Sequence, residues 1–113
     1  MELEARKLLE DIRLAADRIT SFIAGESLDT FRANELLRSA VERQFEIIGE
    51  ALHRLERFSP AIAARISDYR RIIAFRNILI HGYDIIDVEV VWDAASIKLS
   101  VLKRQVEELA QSS

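Results

Sequence analysis

Apolar residues recur at helical spacing through almost all of this 113-residue chain. Steps of three and four residues, such as Leu8, Ile12 and Ala15, place them along one face of an α-helix. Helix-breaking residues are scarce, because the sequence holds only one proline and three glycines. Residues 88–92 alternate like a strand, but no second segment could pair with them, so we interpret them as helical. The sequence therefore predicts an all-α fold.

Capping and breaking residues divide the chain into predicted helices. Gly25 ends the first, Ser27 or Asp29 caps the second, and Asp87 caps the last. Gly82 closes the helix before it, where we expect glycine to adopt the left-handed conformation. The predicted helices span about residues 4–24, 29–58, 60–66, 68–82 and 87–109. We predict a single domain over residues 1–113, an antiparallel four-helix bundle with one additional short helix.

The composition narrows the possible compartments and partners. The chain has no cysteine, which removes disulfides and thiolate metal sites and favours a reducing compartment. No signal-peptide pattern and no membrane-spanning apolar run occur, so we expect a cytoplasmic protein that does not enter a membrane. A net charge of −3 argues against a general nucleic-acid binder. Arginines nevertheless cluster between residues 54 and 76, either as a phosphate-binding patch or as a salt-bridged surface.

Polar side chains interrupt the apolar segment 70–84, which is costly unless they are exposed, paired or used. On a helical wheel the interrupting residues share one arc of roughly 160°. They are Arg76, Asn77, His81 and Tyr83. Ile73 and Ile80 fall in the same arc, and the opposite arc holds a predicted core stripe of Ile72, Phe75, Ile78 and Leu79. A face that mixes apolar and polar groups in this way is typical of a surface that meets a ligand or another protein.

Arg76 and His81 have the chemistry that RNA cleavage without a metal requires. Histidine can draw a proton from a 2′-hydroxyl or return one to the leaving oxygen, and arginine can stabilise charge on the phosphate. The alternatives are a helix-capping histidine and an arginine held in a structural ion pair. Asn77, one turn before His81, can orient the imidazole, contact a substrate, or lie unused on the surface.

Glu50 is the supporting candidate on the second long helix. Glu50-x-x-His53 resembles half of a di-iron ligand set, but no second Glu-x-x-His occurs, so we predict no metal site. Glu50 can instead anchor an arginine across the bundle, with Arg76 as one candidate, or remain an exposed carboxylate. Gly49 inside the same helix indicates a close approach between helices. No phosphate-binding glycine loop or nucleophile elbow is present, and we expect no cofactor.

The pattern Arg76, four residues, His81, one residue, Tyr83 resembles the signature of HEPN-domain toxins of the HEPN/MNT (HepT-like) toxin–antitoxin family. Asn77 matches the Arg-Asn pair of that signature, and residues 43–51 fit the same subfamily upstream. The resemblance covers essentially the whole chain. It implies a HEPN-like helical domain and a metal-independent endoribonuclease with Arg76 and His81 as catalytic residues. It also implies a partner nucleotidyltransferase that adenylylates Tyr83 and so inhibits the toxin.

Two other functions remain open at this stage. The chain could be a catalytically silent helical subunit of a minimal nucleotidyltransferase, or a plain helical dimerisation protein. We expect a two-fold homodimer with one face of the helix that carries the signature at or beside the interface, because its branched residues Ile73 and Ile80 are costly to leave in water. That face also carries Arg76, Asn77 and His81. In such a dimer two copies of each active-site group would meet in one cleft.

Overall fold

A computed structural model describes residues 1–112 and confirms the all-α fold, with no β-strand among those residues. We number the α-helices α1 to α7 in chain order. They are α1 (Leu3–Ile23), α2 (Leu28–Ala33), α3 (Glu35–Phe58), α4 (Pro60–Ala63), α5 (Tyr69–His81), α6 (Val88–Asp93) and α7 (Leu99–Gln111). A 3₁₀ turn, Tyr83–Ile85, follows α5, and a π-helical turn, Ala94–Lys98, joins α6 to α7. None of the helices in residues 1–112 is long and apolar enough to cross a membrane.

Helix α3 is the centre of the bundle and packs between α1 and α5, while α1 also packs on α7. Helices α3 and α5 are antiparallel, because Phe45 contacts Phe75 whereas the later residue Glu56 contacts the earlier residue Arg70. The core is built from the apolar stripes of α1, α3 and α7. Its fully buried members include Leu9, Ile12, Ile48, Leu52, Leu55 and Val106.

The predicted second helix is in fact two helices, which corrects the sequence interpretation. Ser27 caps α2 through a reciprocal capping box with Thr30. The helix then ends at Asn34, whose backbone is extended and whose side chain accepts a hydrogen bond from the Leu37 amide. Asparagine favours helix N-caps because its side-chain oxygen replaces a missing backbone acceptor. Asn34 thereby ends α2 and starts α3.

Two boundaries around α5 also differ from the sequence prediction. The short helix α4 ends at Ala63, three residues earlier than predicted. Asp68 has a positive φ of 58° directly before α5, a conformation that aspartate tolerates better than most residues.

Gly82 has φ −114°, so the predicted left-handed closure is wrong there. A Cβ at Gly82 would lie 3.0 Å from Ile85 Cγ1 and 3.1 Å from the Ile78 carbonyl oxygen. Glycine therefore fits this position because there is little space for a side chain, and not because the backbone is left-handed. Gly25, by contrast, has φ +78° and ends α1 as expected.

The last predicted helix is interrupted by one wide turn. Asp87 caps it as predicted, because its side chain accepts a hydrogen bond from the Glu89 amide. Ala95 lies in the π turn and remains buried between Val91 and Leu99 in the apolar stripe. A π turn holds more residues than an α-helical turn, so residues four positions apart stay closer to the same face. Val91, Ala95 and Leu99 therefore all face the core.

Helix α5 is the least buried of the long helices. Leu79 is its only buried residue, and Ile78, predicted to face the core, is 43% exposed. The reason is that α5 packs chiefly on α3 and stands apart from the C-terminal helices. A groove of about 410 Å³ separates α5 from α6 and α7, and Ile72, Phe75 and Leu102 line it. We call it the α5–α7 groove.

Candidate active site at the α3–α5 interface

Arg76 lies directly on the backbone of α3 at Gly49. A Cβ added at Gly49 would lie 2.2 Å from Arg76 Cβ and 2.7 Å from Arg76 Cγ, closer than atoms can approach. The close helix approach inferred from Gly49 is therefore present, and Arg76 is the residue that uses it. Glycine inside a helix costs about 1 kcal/mol relative to alanine, and here it makes room for an arginine stem.

The Arg76 guanidinium is held by a carboxylate from the neighbouring helix. Its Nη2 donates to Glu50 Oε2 at 2.7 Å, which fulfils the expectation that Glu50 anchors an arginine across the bundle. The other oxygen of Glu50 accepts a hydrogen bond from Arg54 Nε at 3.1 Å. One carboxylate thus bridges two arginines, which leaves this small cluster with a net positive charge.

Asn77 orients Arg76 from the same helix. Arg76 Nη1 donates to Asn77 Oδ1 at 2.8 Å. In the described part of the chain the Asn77 amide is thus paired with Arg76 and not with His81, one of the partners considered from sequence. The Nε of Arg76 is buried and has no hydrogen-bond partner among residues 1–112. Two fixed contacts and a buried stem leave the guanidinium few alternative positions, although its side chain is still 22% exposed.

A cavity of about 350 Å³ opens in front of this arginine. It lies between α1, α3 and α5, and its lining contains both carboxylates and arginines. Its lining consists of Leu8, Asp11, Arg43, Glu46, Ile47, Glu50, Ala51, Arg54, Arg76 and Ile80. We call it the Arg76 cavity. Its mixed charge allows it to hold a group that carries both negative charge and hydrogen-bond donors, as a nucleotide does.

His81 and Tyr83 occupy the C-terminal end of α5 and the turn beyond it. His81 is the last residue of α5 and is exposed to solvent. Tyr83 begins the 3₁₀ turn and is 81% exposed to solvent. On a regular helix, five residues separate two side chains by about 7.5 Å along the axis and roughly 140° around it. Arg76 and His81 of one chain therefore point in different directions.

The two isoleucines expected at a dimer interface have different environments. Ile73 is partly buried and packs against the core. Ile80 is 38% exposed and lines the Arg76 cavity. Exposed apolar residues also lie outside the predicted face, in several parts of the described chain. Those in the C-terminal segment include Val90, Ile97 and Val101, of which Val90 and Val101 line the α5–α7 groove.

The sequence analysis did not single out Asp11, and it placed Arg54 in the basic cluster without pairing it with Glu50; both residues line the Arg76 cavity. The pairing of Arg54 could have been predicted from its spacing, because a glutamate four residues before an arginine on a helix is a favourable pair. Asp11 lies on α1, and only the packing of α1 beside α3 brings it near Glu50. Among the arginines of the predicted basic cluster, Arg70 pairs with Glu56 at 3.5 Å, so that part of the cluster follows the salt-bridged interpretation.

Comparison with known proteins gives a consistent result over nearly the full chain. A family model described as ribonuclease HepT-like matches residues 12–109. A protein of Thermococcus cleftensis named "Probable ribonuclease HepT" is 31% identical, covering 96% of this chain and 98% of its own. A protein of Methanocaldococcus jannaschii, named as a candidate RNase, is 29% identical over 92% of this chain and 94% of its own. Another from Caldanaerobacter subterraneus, similarly named, is 27% identical over 94% of both chains. No solved structure gives a significant match.

Proposed function

Since the chain belongs to the HepT-like ribonuclease family, we propose that it is a metal-independent endoribonuclease and the toxin of a toxin–antitoxin pair. The observation that carries the proposal is the fixed Arg76 guanidinium at the mouth of a cavity, on the same helix as an exposed His81. The names of the relatives support a ribonuclease activity. The charge and acid–base groups needed for RNA cleavage are both supplied by α5.

The proposed reaction is attack by a 2′-hydroxyl of RNA on the adjacent phosphorus. His81 accepts the proton from the 2′-oxygen as that oxygen bonds to phosphorus. Arg76 stabilises the negative charge on the phosphate oxygens during the transfer. The bond from phosphorus to the 5′-oxygen breaks, and that oxygen takes up a proton from an acid, for which a second copy of His81 in a dimer is the candidate. The products are a 2′,3′-cyclic phosphate and a free 5′-hydroxyl, and no step needs a metal ion.

We propose that the active unit is a homodimer. One chain carries a single histidine at the site, and a single imidazole cannot act as base and acid in the same step. The different directions of Arg76 and His81 in one chain support an arrangement in which a two-fold axis brings the second copies nearby. The exposed Ile80 beside Arg76 supplies an apolar contact for such an axis.

We propose that a small nucleotidyltransferase controls the toxin by adenylylating Tyr83. The hydroxyl oxygen of Tyr83 would attack the α-phosphorus of ATP, with release of pyrophosphate and the phenolic proton. The 81% exposure of Tyr83 supports its role as acceptor. The added AMP would place a phosphate and a base two residues from His81, where both the charge and the bulk oppose RNA binding.

One observation favours the alternative of a catalytically silent subunit. Glu50 already pairs with Arg76, so a phosphate must compete with a carboxylate for the same guanidinium. Growth and RNA integrity in a bacterium that expresses the chain separate the two functions. We expect the wild type to arrest growth and degrade RNA, and His81→Ala to do neither. His53→Ala, a histidine on α3, is the matched control and should remain toxic. A wild type that neither arrests growth nor degrades RNA would support the silent subunit. A His81→Ala protein as toxic as the wild type would show that the toxicity does not depend on His81.

A further inference from the structure

The contact between Gly49 and Arg76 is the closest fit at the candidate site. Three atoms of the Arg76 stem surround the place of a Cβ on Gly49, with Cβ at 2.2 Å, Cγ at 2.7 Å and Cδ at 3.5 Å. The first two distances are too short for any side chain other than hydrogen to be accommodated. Because Arg76 Cβ is fixed to the backbone of α5, rotation of the arginine side chain cannot relieve the contact.

This contact lies directly beside the ion pair that holds the guanidinium. Gly49 and Glu50 are neighbours in α3, and Glu50 accepts the hydrogen bond from Arg76 Nη2 at 2.7 Å. The stem of Arg76 therefore crosses α3 at Gly49, and its charged end reaches the next residue. A side chain at position 49 has to push α5 away from α3, which moves the guanidinium away from Glu50.

We propose that Gly49 is a positioning residue for Arg76, and that its missing side chain sets where the guanidinium lies in the Arg76 cavity. The catalytic part of this inference rests on the ribonuclease function proposed above. The structural part does not, because it concerns only the place of Arg76 relative to Glu50. Glycine is the poorest helix former after proline, so helix stability does not explain its presence in the middle of α3. The space that it leaves for the Arg76 stem does.

NMR of the arginine Nε–H groups tests the structural part without any activity measurement. The Arg76 signal, assigned by its loss in Arg76→Lys, reports on a buried Nε whose surroundings include Glu50. In the wild type, Glu50→Gln should shift this signal. In Gly49→Ala the signal should already be displaced, and adding Glu50→Gln should shift it no further, because the two groups are no longer in contact.

Activity measurements test the catalytic part through a double-mutant comparison. Gly49→Ala should lower kcat for RNA cleavage at least tenfold at a temperature where the variant is fully folded. Adding Arg76→Ala to Gly49→Ala should lower kcat much less than Arg76→Ala lowers it in the wild type, since the displaced arginine no longer contributes fully. Equal effects of Arg76→Ala in both backgrounds would overturn the positioning role. If the wild type cleaves no RNA at all, the ribonuclease proposal fails while the NMR result still decides the place of Arg76.

Ala16→Val is the matched control, because Ala16 is a fully buried residue of α1 and the change overpacks the core elsewhere. It should lower stability but leave the Arg76 signal and kcat unchanged. If Gly49→Ala does not fold, Arg76→Gly is added to it, which removes the Arg76 atoms that the new methyl group would meet. Recovery of a folded protein supports the direct contact between position 49 and the Arg76 side chain. A double variant that remains unfolded, or a single variant with an undisplaced Arg76 signal and full activity, contradicts the proposal.

Discussion

The guanidinium of Arg76 and the carboxylate of Glu50 form an ion pair across the α3–α5 interface, with Nη2 and Oε2 2.7 Å apart. The pair is only partly exposed on both sides. Arg76 is therefore not a free cation on the surface, but a cation whose position is set by a neighbouring helix. Such a fixed charge can stabilise a developing negative charge without first having to be ordered.

Arg76→Ala and His81→Ala should each reduce RNA cleavage by the purified protein by more than about 100-fold, because each removes a main charge stabiliser or an acid–base group. Helix content, followed by circular dichroism, should not change. Arg71→Ala is the matched arginine control, since Arg71 lies on α5 but lines the α5–α7 groove. Cleavage that needs added Mg²⁺, or that is abolished by EDTA, would count against the mechanism.

Tyr83→Phe should keep most ribonuclease activity and escape control by the nucleotidyltransferase, because only the acceptor hydroxyl is lost. Mass spectrometry after co-expression with the partner should find one or more AMP additions on the wild type and none on Tyr83→Phe. Tyr69→Phe is the control and should still be modified, since Tyr69 is partly buried and its hydroxyl accepts a hydrogen bond from Arg70. Additions that persist on Tyr83→Phe would place the acceptor elsewhere, with Tyr69 next in line.

Ile80→Asp should convert a homodimer into monomers, because it places a charge in an apolar contact that the dimer would bury. Light scattering at micromolar concentration measures the change. Ile97→Asp is the matched variant on the C-terminal helices, where Ile97 is 65% exposed. Dissociation by Ile97→Asp alone would move the interface to that side of the bundle. A wild type that is already monomeric would refute the dimer altogether.

Glu42→Gln should stabilise the protein slightly near pH 7. Burial raises the pKa of the Glu42 carboxyl above its ordinary value of 4.5, and nearby Glu46 adds to this while Arg38 opposes it. The folded state therefore holds this proton more tightly than the unfolded state, so the contribution of Glu42 to stability is present below pH 4.5 and is lost as the pH rises through the folded pKa. Urea unfolding of both proteins should show the gain at pH 7 and little difference near pH 4. A gain that is equal at both pH values would rule out a charge effect.

The helical stripes and the cap Asp87 were predictable because they depend on spacing and local hydrogen bonds alone, and Ser27 was one of two candidates, with Asp29, for the cap of α2. The break at Asn34 was missed because the apolar pattern continues across it, and only the extended backbone shows that the side chain caps a new helix. Gly82 was assigned the wrong conformation for a similar reason, since the crowding around it comes from the later residue Ile85.

At the site, the sequence indicated an arginine anchored by Glu50 but could not establish the pair. The residue of α5 that faces Glu50 depends on the shift of α5 along the axis of α3. A helical wheel gives only the angles around one helix, so it cannot predict that shift. Gly49 was the one available signal of a close approach. Its partner became identifiable only when Arg76 was seen to lie against it.

The sparse burial of α5 bears on the order in which parts of the molecule open. A helix with a single buried residue and one main packing partner loses little apolar contact when it detaches. Its amide protons should therefore exchange with solvent faster than those of α1 and the core of α3, without unfolding of the whole chain. A bound RNA, a second subunit or an AMP group would then be detectable as slower exchange along α5. The segment that carries Arg76 and His81 would thus gain in local stability from whatever it binds.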